Sequence, residues 1–297
     1  MSYKDINSKE IGYLLDFYVE VEEDSVRSQI RDRLLSRLPF GCHPIRFIEK
    51  IGCANTRCQL RENALADLND HKIVYDLQQL DSLTSLENIS YLISRLSEVD
   101  IISYDEFIER LDQLAEPLIQ KLNSNFTNNV NVSKLDVLIE YLYSEQGFRG
   151  NTTDYYFPPN NYLTHVLENR VGVPVSLSVL TLLVGRRSGL DLEGINLPGH
   201  FIVAYRNHGI RTFFDPFNEG AFLTEEDCTR YMIRQGINPD SNFLKPADNF
   251  TIMRRMYQNL ISYYSNAKDR KKEATLNRHL AILNNKFCTG ENDIREN

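Results

Sequence analysis

The sequence predicts an α+β protein that is predominantly α, and three patterns carry that expectation. Apolar residues recur at helical spacing almost throughout residues 1–100, with no alternating strand pattern there. An apolar helix at 174–187 is then followed by short apolar runs around 192–197, 201–205 and 211–214, which read as strands. Helical spacing returns over 250–283.

In the first segment Ile11, Leu14, Leu15 and Tyr18 share one helical face, as do Val26, Ile30, Leu34 and Leu38. A shift of 30 residues aligns 26–35 with 56–65 at four identical positions. Such a period suggests stacked helical pairs, because one pair cannot bury its apolar stripe alone. The pattern resembles HEAT-like repeats, with chance similarity between two amphipathic helices as the alternative. Residues 1–90 are therefore expected to form a HEAT-like helical module.

Residues 91–249 are expected to form the core. A helix over 104–122 carries Phe107, Leu111, Leu114, Leu118 and Leu122 on one side, with Ser103 and Glu106 as a capping box and Pro117 inside it. The Asn-rich stretch 123–133 reads as a loop, 135–143 as a short helix, and Gly147-Phe148-Arg149-Gly150-Asn151 as its end. In the last segment Met253, Met256, Leu260 and Tyr264 mark one helix, and Ala274, Leu276, Leu280 and Leu283 a second. A hairpin of this length, placed at 250–288, looks like one tetratricopeptide repeat, an ordinary helical hairpin being the alternative. Residues 289–297 are expected to be a frayed tail.

Thirty-three Lys plus Arg against 41 Asp plus Glu give a net charge of -8, which argues against nucleic acid and anionic membranes as partners. Five Cys without regular spacing make no disulfide framework, and the polar start lacks the apolar core of a signal peptide, so a cytoplasmic location is expected. The longest apolar stretch, 171–184, is too short and too polar for the ~20 residues of a membrane span. Cys42, His43, Cys53 and Cys58 have irregular spacing and a helical setting, which favours buried thiols over a zinc set. No metal and no cofactor are expected. The Lys-rich run 268–272 reads as a solvated face, and oligomeric state is not set by these features.

Chemistry concentrates after residue 170. Pro174 opens the apolar helix where a missing N–H costs nothing, so Val175, Ser176 and Leu177 offer backbone donors and the helix end attracts negative charge. Downstream, Leu197-Pro198-Gly199-His200-Phe201 enters one strand and Asp215-Pro216 leaves the next, with a hairpin around Asn207-His208-Gly209. A four-residue loop at 206–209 would place His200 directly opposite Asp215, about 5 Å apart at Cβ. Asp215 would then fix the imidazole tautomer and aim the other nitrogen at a third group, expected at the helix end. A core histidine bonded to Asp215 for structure alone is the plainer alternative.

A helix start, then His on one strand, then Asp-Pro on the next resembles the transglutaminase-like superfamily, whose papain-type triad has Cys at the helix N-terminus. More closely, Gly147-Phe148-x-Gly150-Asn151, Tyr155-Tyr156, Asn161-x-Leu163, Arg170-x-Gly172-x-Pro174-x-Ser176-Leu177-Ser178, Leu197-Pro198-Gly199-His200-Phe201 and Asp215-Pro216-Phe217 resemble its SirB-type branch. The resemblance covers about 91–283 and implies a papain-type α+β core joined to tetratricopeptide-like helices.

The nucleophile departs from that pattern. Counting back from Gly189 puts Pro174 or its neighbours where the Cys belongs, and no Cys lies between Cys58 and Cys228. Loss of a triad nucleophile costs on the order of 10⁶ in turnover. The leading expectation is a non-catalytic scaffold that binds a protein, a peptide or another ligand. Its rival is a divergent amidase, protease-like hydrolase or acyltransferase using Ser176 or Ser178 with His200 and Asp215. Pro174, Val175, Tyr155, Tyr156 and Asn161 are the expected binding residues, lining a small polar pocket for a carboxylate, a C-terminal peptide or another anion, unless side chains fill it.

Overall fold

The computed structural model describes residues 8–44, 58–97, 102–127, 133–239 and 242–287. The chain divides into two compact units, Met1–Leu83 and Thr84–Asn297. Helices Ser8–Glu20, Asp24–Arg37 and Cys58–Gln79 make up most of the first. The apolar faces read from the sequence meet there, since Ile11, Leu15 and Tyr18 pack with Leu34, Leu35, Leu38, Cys42 and Leu68. Cys42 is a buried thiol, whereas Cys53 and the start of the second repeat, Thr56 and Arg57, lie outside the described residues.

The second unit begins earlier than residue 91. Ser85 accepts the Asn88 N–H and so caps helix Leu86–Ser94, whose Leu86, Ile89, Leu92 and Ile93 are buried. This helix packs on the hairpin and the central helix, so a boundary at 90 would cut through it. The hairpin, Asn249–Asn266 and Arg270–Phe287, belongs to the same compact unit. Its first helix buries Ile252, Met253, Met256, Tyr257 and Leu260. The expected separation into core and hairpin therefore corrects to one body, because neither hairpin helix could cover that stripe alone. Residues 289–297 lie outside the described residues.

Helix Tyr104–Thr127 runs further than its apolar pattern, so residues 123–127 of the expected loop continue it and Pro117 sits inside. Lys134–Ile139 passes into the wider-wound turn Glu140–Glu145, and Gly147 leaves it at φ 71°. Leu163–Asn169 and Glu225–Arg234 are helices that the sequence reading does not name, the second carrying a Thr224–Asp227 capping box.

The central helix, Pro174–Arg187, has the predicted bounds and is buried through Gly185. A helix apolar on every side belongs inside, and its hydroxyls must find partners there. Thr181 donates to the Leu177 carbonyl at 2.8 Å and pairs with Tyr143 at 2.8 Å. Against this helix lies an antiparallel sheet of β3 (Leu192–Ile195), β4 (Ile202–Asn207), β5 (Ile210–Asp215) and β6 (Ala221–Leu223), in that order. A short parallel pair, β1 (Arg149–Gly150) and β2 (Val171–Gly172), brings two of the sequence motifs together. Among the described residues no helix is long and apolar enough to cross a membrane.

The β4–β5 hairpin corrects one expected detail. Its ladder closes at Asn207 opposite Ile210, leaving the two-residue turn His208-Gly209 with φ 48° and 82°. Two successive left-handed residues make the tight turn that matches strand twist, so four loop residues are not needed.

Glycines at positive φ differ in what surrounds them, which sets a stability prediction. At Gly220, φ 79°, an added Cβ would stand 2.8 Å from Ile139 and 2.9 Å from Tyr143, whereas Gly209 at φ 82° faces open space. Gly209→Ala is expected to cost about 1 kcal/mol from backbone strain alone, and Gly220→Ala about 2–3 kcal/mol because crowding adds to it. Urea unfolding of both variants checks the order.

Candidate functional site

Sequence places His200 at the exit of a turn. In Leu197-Pro198-Gly199-His200 the His200 N–H donates to the Leu197 carbonyl at 3.0 Å, and Gly199 supplies φ 76°. Proline followed by a residue of positive φ is the arrangement of a type II turn. The shorter β4–β5 loop places Asp215 across from Ile202, with His200 as its diagonal neighbour on the same face. The register moved by an even number of residues, so both side chains kept their faces. They meet: His200 Nε2 lies 2.7 Å from Asp215 Oδ2.

Asp215 is 4% exposed and its carboxylate is fully engaged. Beyond His200, Oδ2 accepts from Asn218 Nδ2 at 2.6 Å, and Oδ1 accepts the Phe217 N–H at 2.9 Å. Burial works to raise the carboxyl, but the bonds from His200, Asn218 and Phe217 outweigh it and hold it below its ordinary value. An ionised Asp215 makes His200 Nε2 the donor and leaves Nδ1 without a protein partner among the described residues.

A cavity of about 560 Å³ opens beside this pair. It is lined by Leu197, His200, Phe217, Leu223, Cys228 and Tyr231, among others. Tyr231 and Phe217 flank the imidazole at ring separations of 5.7 and 6.4 Å. Neither Tyr231 nor Cys228 was singled out as a site residue by sequence, because both sit on the unforeseen helix Glu225–Arg234.

The expected third group is absent from the imidazole. Ser176 Oγ is buried; it donates to the Asn160 carbonyl at 2.6 Å and accepts the Val173 N–H at 3.1 Å. Ser178 Oγ, also buried, donates to the Phe201 carbonyl at 3.2 Å. Neither hydroxyl bonds to His200, and the Ser-based triad is corrected on that ground. Both hydroxyls are consumed by main-chain groups that burial obliges them to satisfy. Pro174 and Val175 are likewise buried and do not line the cavity, so the helix end does not open into it.

The other expected binding residues divide. Asn160 accepts from Asn151 Nδ2 at 3.1 Å and donates to the Asp154 carbonyl at 2.8 Å, which fixes the loop carrying Tyr155. Tyr155 stands edge-on to Phe217 at 5.7 Å and thus next to the cleft. Tyr156 is exposed and touches Tyr155. Asn161 is a buried strut, donating to the Pro158 carbonyl and accepting from Asn259 Nδ2 at 3.3 Å, which corrects its assignment to binding.

Cys228 is the one described thiol at the cleft. Burial, then the charges of Asp227 and Glu225, push it up to about 11, so it is a neutral thiol at neutral pH.

The arrangement, a buried central helix against a sheet with His200 in the turn before β4 and Asp215 at the end of β5, coincides with a match over residues 105–258 to the transglutaminase-like superfamily. The chain belongs to that superfamily. A UPF0162 protein of Xylella fastidiosa strain 9a5c is 34% identical to it, over 58% of this chain and 65% of that protein. Human F-box only protein 21 is 27% identical over 63% of this chain and 33% of its own length. The UPF0162 protein of Vibrio cholerae is 30% identical over 34% of this chain and 37% of that protein. The chain thus spans less than two thirds of these relatives. No solved structure matches it.

Within this transglutaminase-like core the Asp215 carboxylate sets a pH dependence. A carboxyl held below its ordinary value stabilises the fold above that value, and the stabilisation disappears as pH falls through the lower folded value. Wild-type protein is expected to lose stability steeply below about pH 4, the ordinary carboxyl range. Asp215→Asn should cost about 2–3 kcal/mol at pH 7 and flatten that acid slope. Urea unfolding at pH 7, 5 and 3 checks it, and equal slopes would count against the role given to the carboxylate.

Proposed function

We propose that this transglutaminase-like protein uses the His200 cleft to bind a ligand, a protein or peptide segment above all, without acyl transfer. The observation that carries this reading is the engagement of Ser176 and Ser178 with the Asn160 and Phe201 carbonyls, with Pro174 buried at the position of the missing thiol. Acyl transfer by a triad needs a nucleophile within hydrogen-bond reach of the imidazole. The ordered His200–Asp215 pair remains useful without one, because it fixes a polar edge in a cavity with aromatic walls. In human F-box only protein 21 the like segment is a third of a longer chain, which suits a recognition module.

Within the superfamily, the motif string supports placement in the SirB-type branch, with the first three described helices as its HEAT-like addition and the C-terminal hairpin as its tetratricopeptide-like part. A cytoplasmic setting, with no nucleic acid and no membrane as partner, accords with the charge of -8 and with the buried thiols Cys42 and Cys228.

Turnover measurements test the proposal. With p-nitrophenyl acetate and with a glutamine-containing peptide amide, no rate above buffer is expected for the wild type. Iodoacetamide should leave Cys228 unmodified in the folded protein at pH 8, since a thiol at about 11 is protonated there. Turnover that disappears in His200→Ala would overturn the non-catalytic reading. Rapid labelling of Cys228 with loss of turnover would identify it as the nucleophile.

A further inference from the structure

Three hydrogen-bond donors that the protein leaves with spare capacity stand around the His200 cleft: Tyr231 lines it, whereas Arg255 and Tyr155 stand behind its lining residues Leu197 and Phe217. Arg255, half-buried on helix Asn249–Asn266, donates through Nη1 to the Leu197 carbonyl at 3.3 Å and to Asn196 Oδ1 at 3.4 Å. Its Nε and Nη2 make no hydrogen bond, and no carboxylate among the described residues pairs with it. The same Leu197 carbonyl accepts the His200 N–H, so one oxygen ties the guanidinium to the turn that carries the imidazole. Leu197 itself lines the cavity.

Two phenols complete the group. Tyr231 lies against His200, and its hydroxyl reaches the Gly199 backbone closely enough to stand 3.1 Å from an added Cβ. Tyr155 stands edge-on to Phe217. Neither hydroxyl has a hydrogen-bond partner among the described residues, and both feel the Arg255 charge. Burial raises both phenols, which keeps them protonated, and lowers Arg255, which remains a cation at any physiological pH. A half-buried cation with two neutral donors near it and no carboxylate paired to it among the described residues attracts an anion.

We propose that Arg255, Tyr155 and Tyr231 form a carboxylate-recognition corner at the margin of the His200 cleft, reached past Leu197 and Phe217, and that its ligand is a peptide ending in an apolar residue with a free terminal carboxylate. A carboxylate matches the fork of a guanidinium, and a cavity whose lining balances Asp215 and Asp227 against Arg230 and Arg234 suits a single negative charge. Leu197, Phe217, Leu223 and Tyr231 supply the apolar wall for the adjoining side chain within about 560 Å³. The sequence places an anion at the helix end near Pro174; the corner lies instead on the C-terminal hairpin and on the Tyr155 loop.

This inference rests on the reading of the cleft as a binding site, and calorimetry with amide NMR separates the two. The probes are acetyl-Ala-Leu with a free carboxylate, the same peptide as its C-terminal amide, and acetyl-Glu-Leu amide, whose acid is on a side chain. The free carboxylate is expected to saturate, and the amide to bind at least ~10-fold more weakly. Arg255→Gln should lose ~10-fold for the carboxylate and nothing for the amide, Arg255→Lys should keep part of the difference, and Tyr231→Phe should lose roughly threefold. Equal binding of acid and amide, with no effect of Arg255→Gln, overturns the corner and leaves the binding cleft standing. Equal binding of acetyl-Glu-Leu amide and the free carboxylate overturns the preference for a chain terminus. No saturable response to any probe by about 10 mM overturns the corner and the binding cleft together. If Arg255→Gln fails to fold, the acid-versus-amide comparison on wild type and the Tyr231→Phe variant decide the matter.

Discussion

A carboxylate taken out of water must be bonded at both oxygens, and the His200 side of this molecule is arranged around meeting that demand at Asp215. Three donors reach it from two places: an imidazole from the turn before β4, and from the segment after β5 the Asn218 side-chain amide and the Phe217 main-chain N–H. The Phe217 and Asn218 donors are delivered by the short helical turn Pro216–Asn218, for which Asp215 is itself the cap. Gly220 then returns its N–H to the Asp215 carbonyl at 2.8 Å, closing the segment before β6. Sheet register, turn and imidazole orientation are therefore coupled through one residue.

The start of the central helix shows a second demand of the same kind, with the opposite consequence for chemistry. Helix entry leaves main-chain groups to be satisfied, and Ser176 does so by taking the Val173 N–H and giving its proton to Asn160. Space there is already used, since an added Cβ on Gly172 would lie 2.7 Å from Ser176 Oγ. A hydroxyl held in this way cannot turn toward an imidazole without leaving buried partners behind. The start of the central helix is thus part of the core, while the His200–Asp215 pair faces a cavity.

The surroundings of that cavity are assembled from segments far apart in the chain. Phe217 follows β5, Tyr155 is set by the Asn151–Asn160 contact, Tyr231 comes from helix Glu225–Arg234, and Arg255 reaches the Leu197 carbonyl from the hairpin. The hairpin is consequently part of the site's architecture as well as of its packing. Asn259, one turn beyond Arg255 on the same helix, bonds Asn161 and secures that placement at the foot of the Tyr155 loop.

The sequence by itself determined the elements whose physics is local. The apolar-rich run behind Pro174 reads as a buried helix, the single helical face shared by Ile11, Leu15 and Tyr18 calls for another element to cover it, and Leu197-Pro198-Gly199-His200 leads the chain into a strand. Parity carried the His200–Asp215 contact even though the hairpin loop was read two residues too long, because strand side chains alternate with period two. Tertiary structure alone decided where the hydroxyls of Ser176 and Ser178 point, that Asn161 is a strut, and that the hairpin shares a body with the core. It also decided that Tyr231 stands beside the imidazole and that Arg255 reaches the Leu197 carbonyl at the start of its turn. Those outcomes depend on which distant carbonyl or ring occupies a neighbouring position after packing, and no spacing along the chain encodes that.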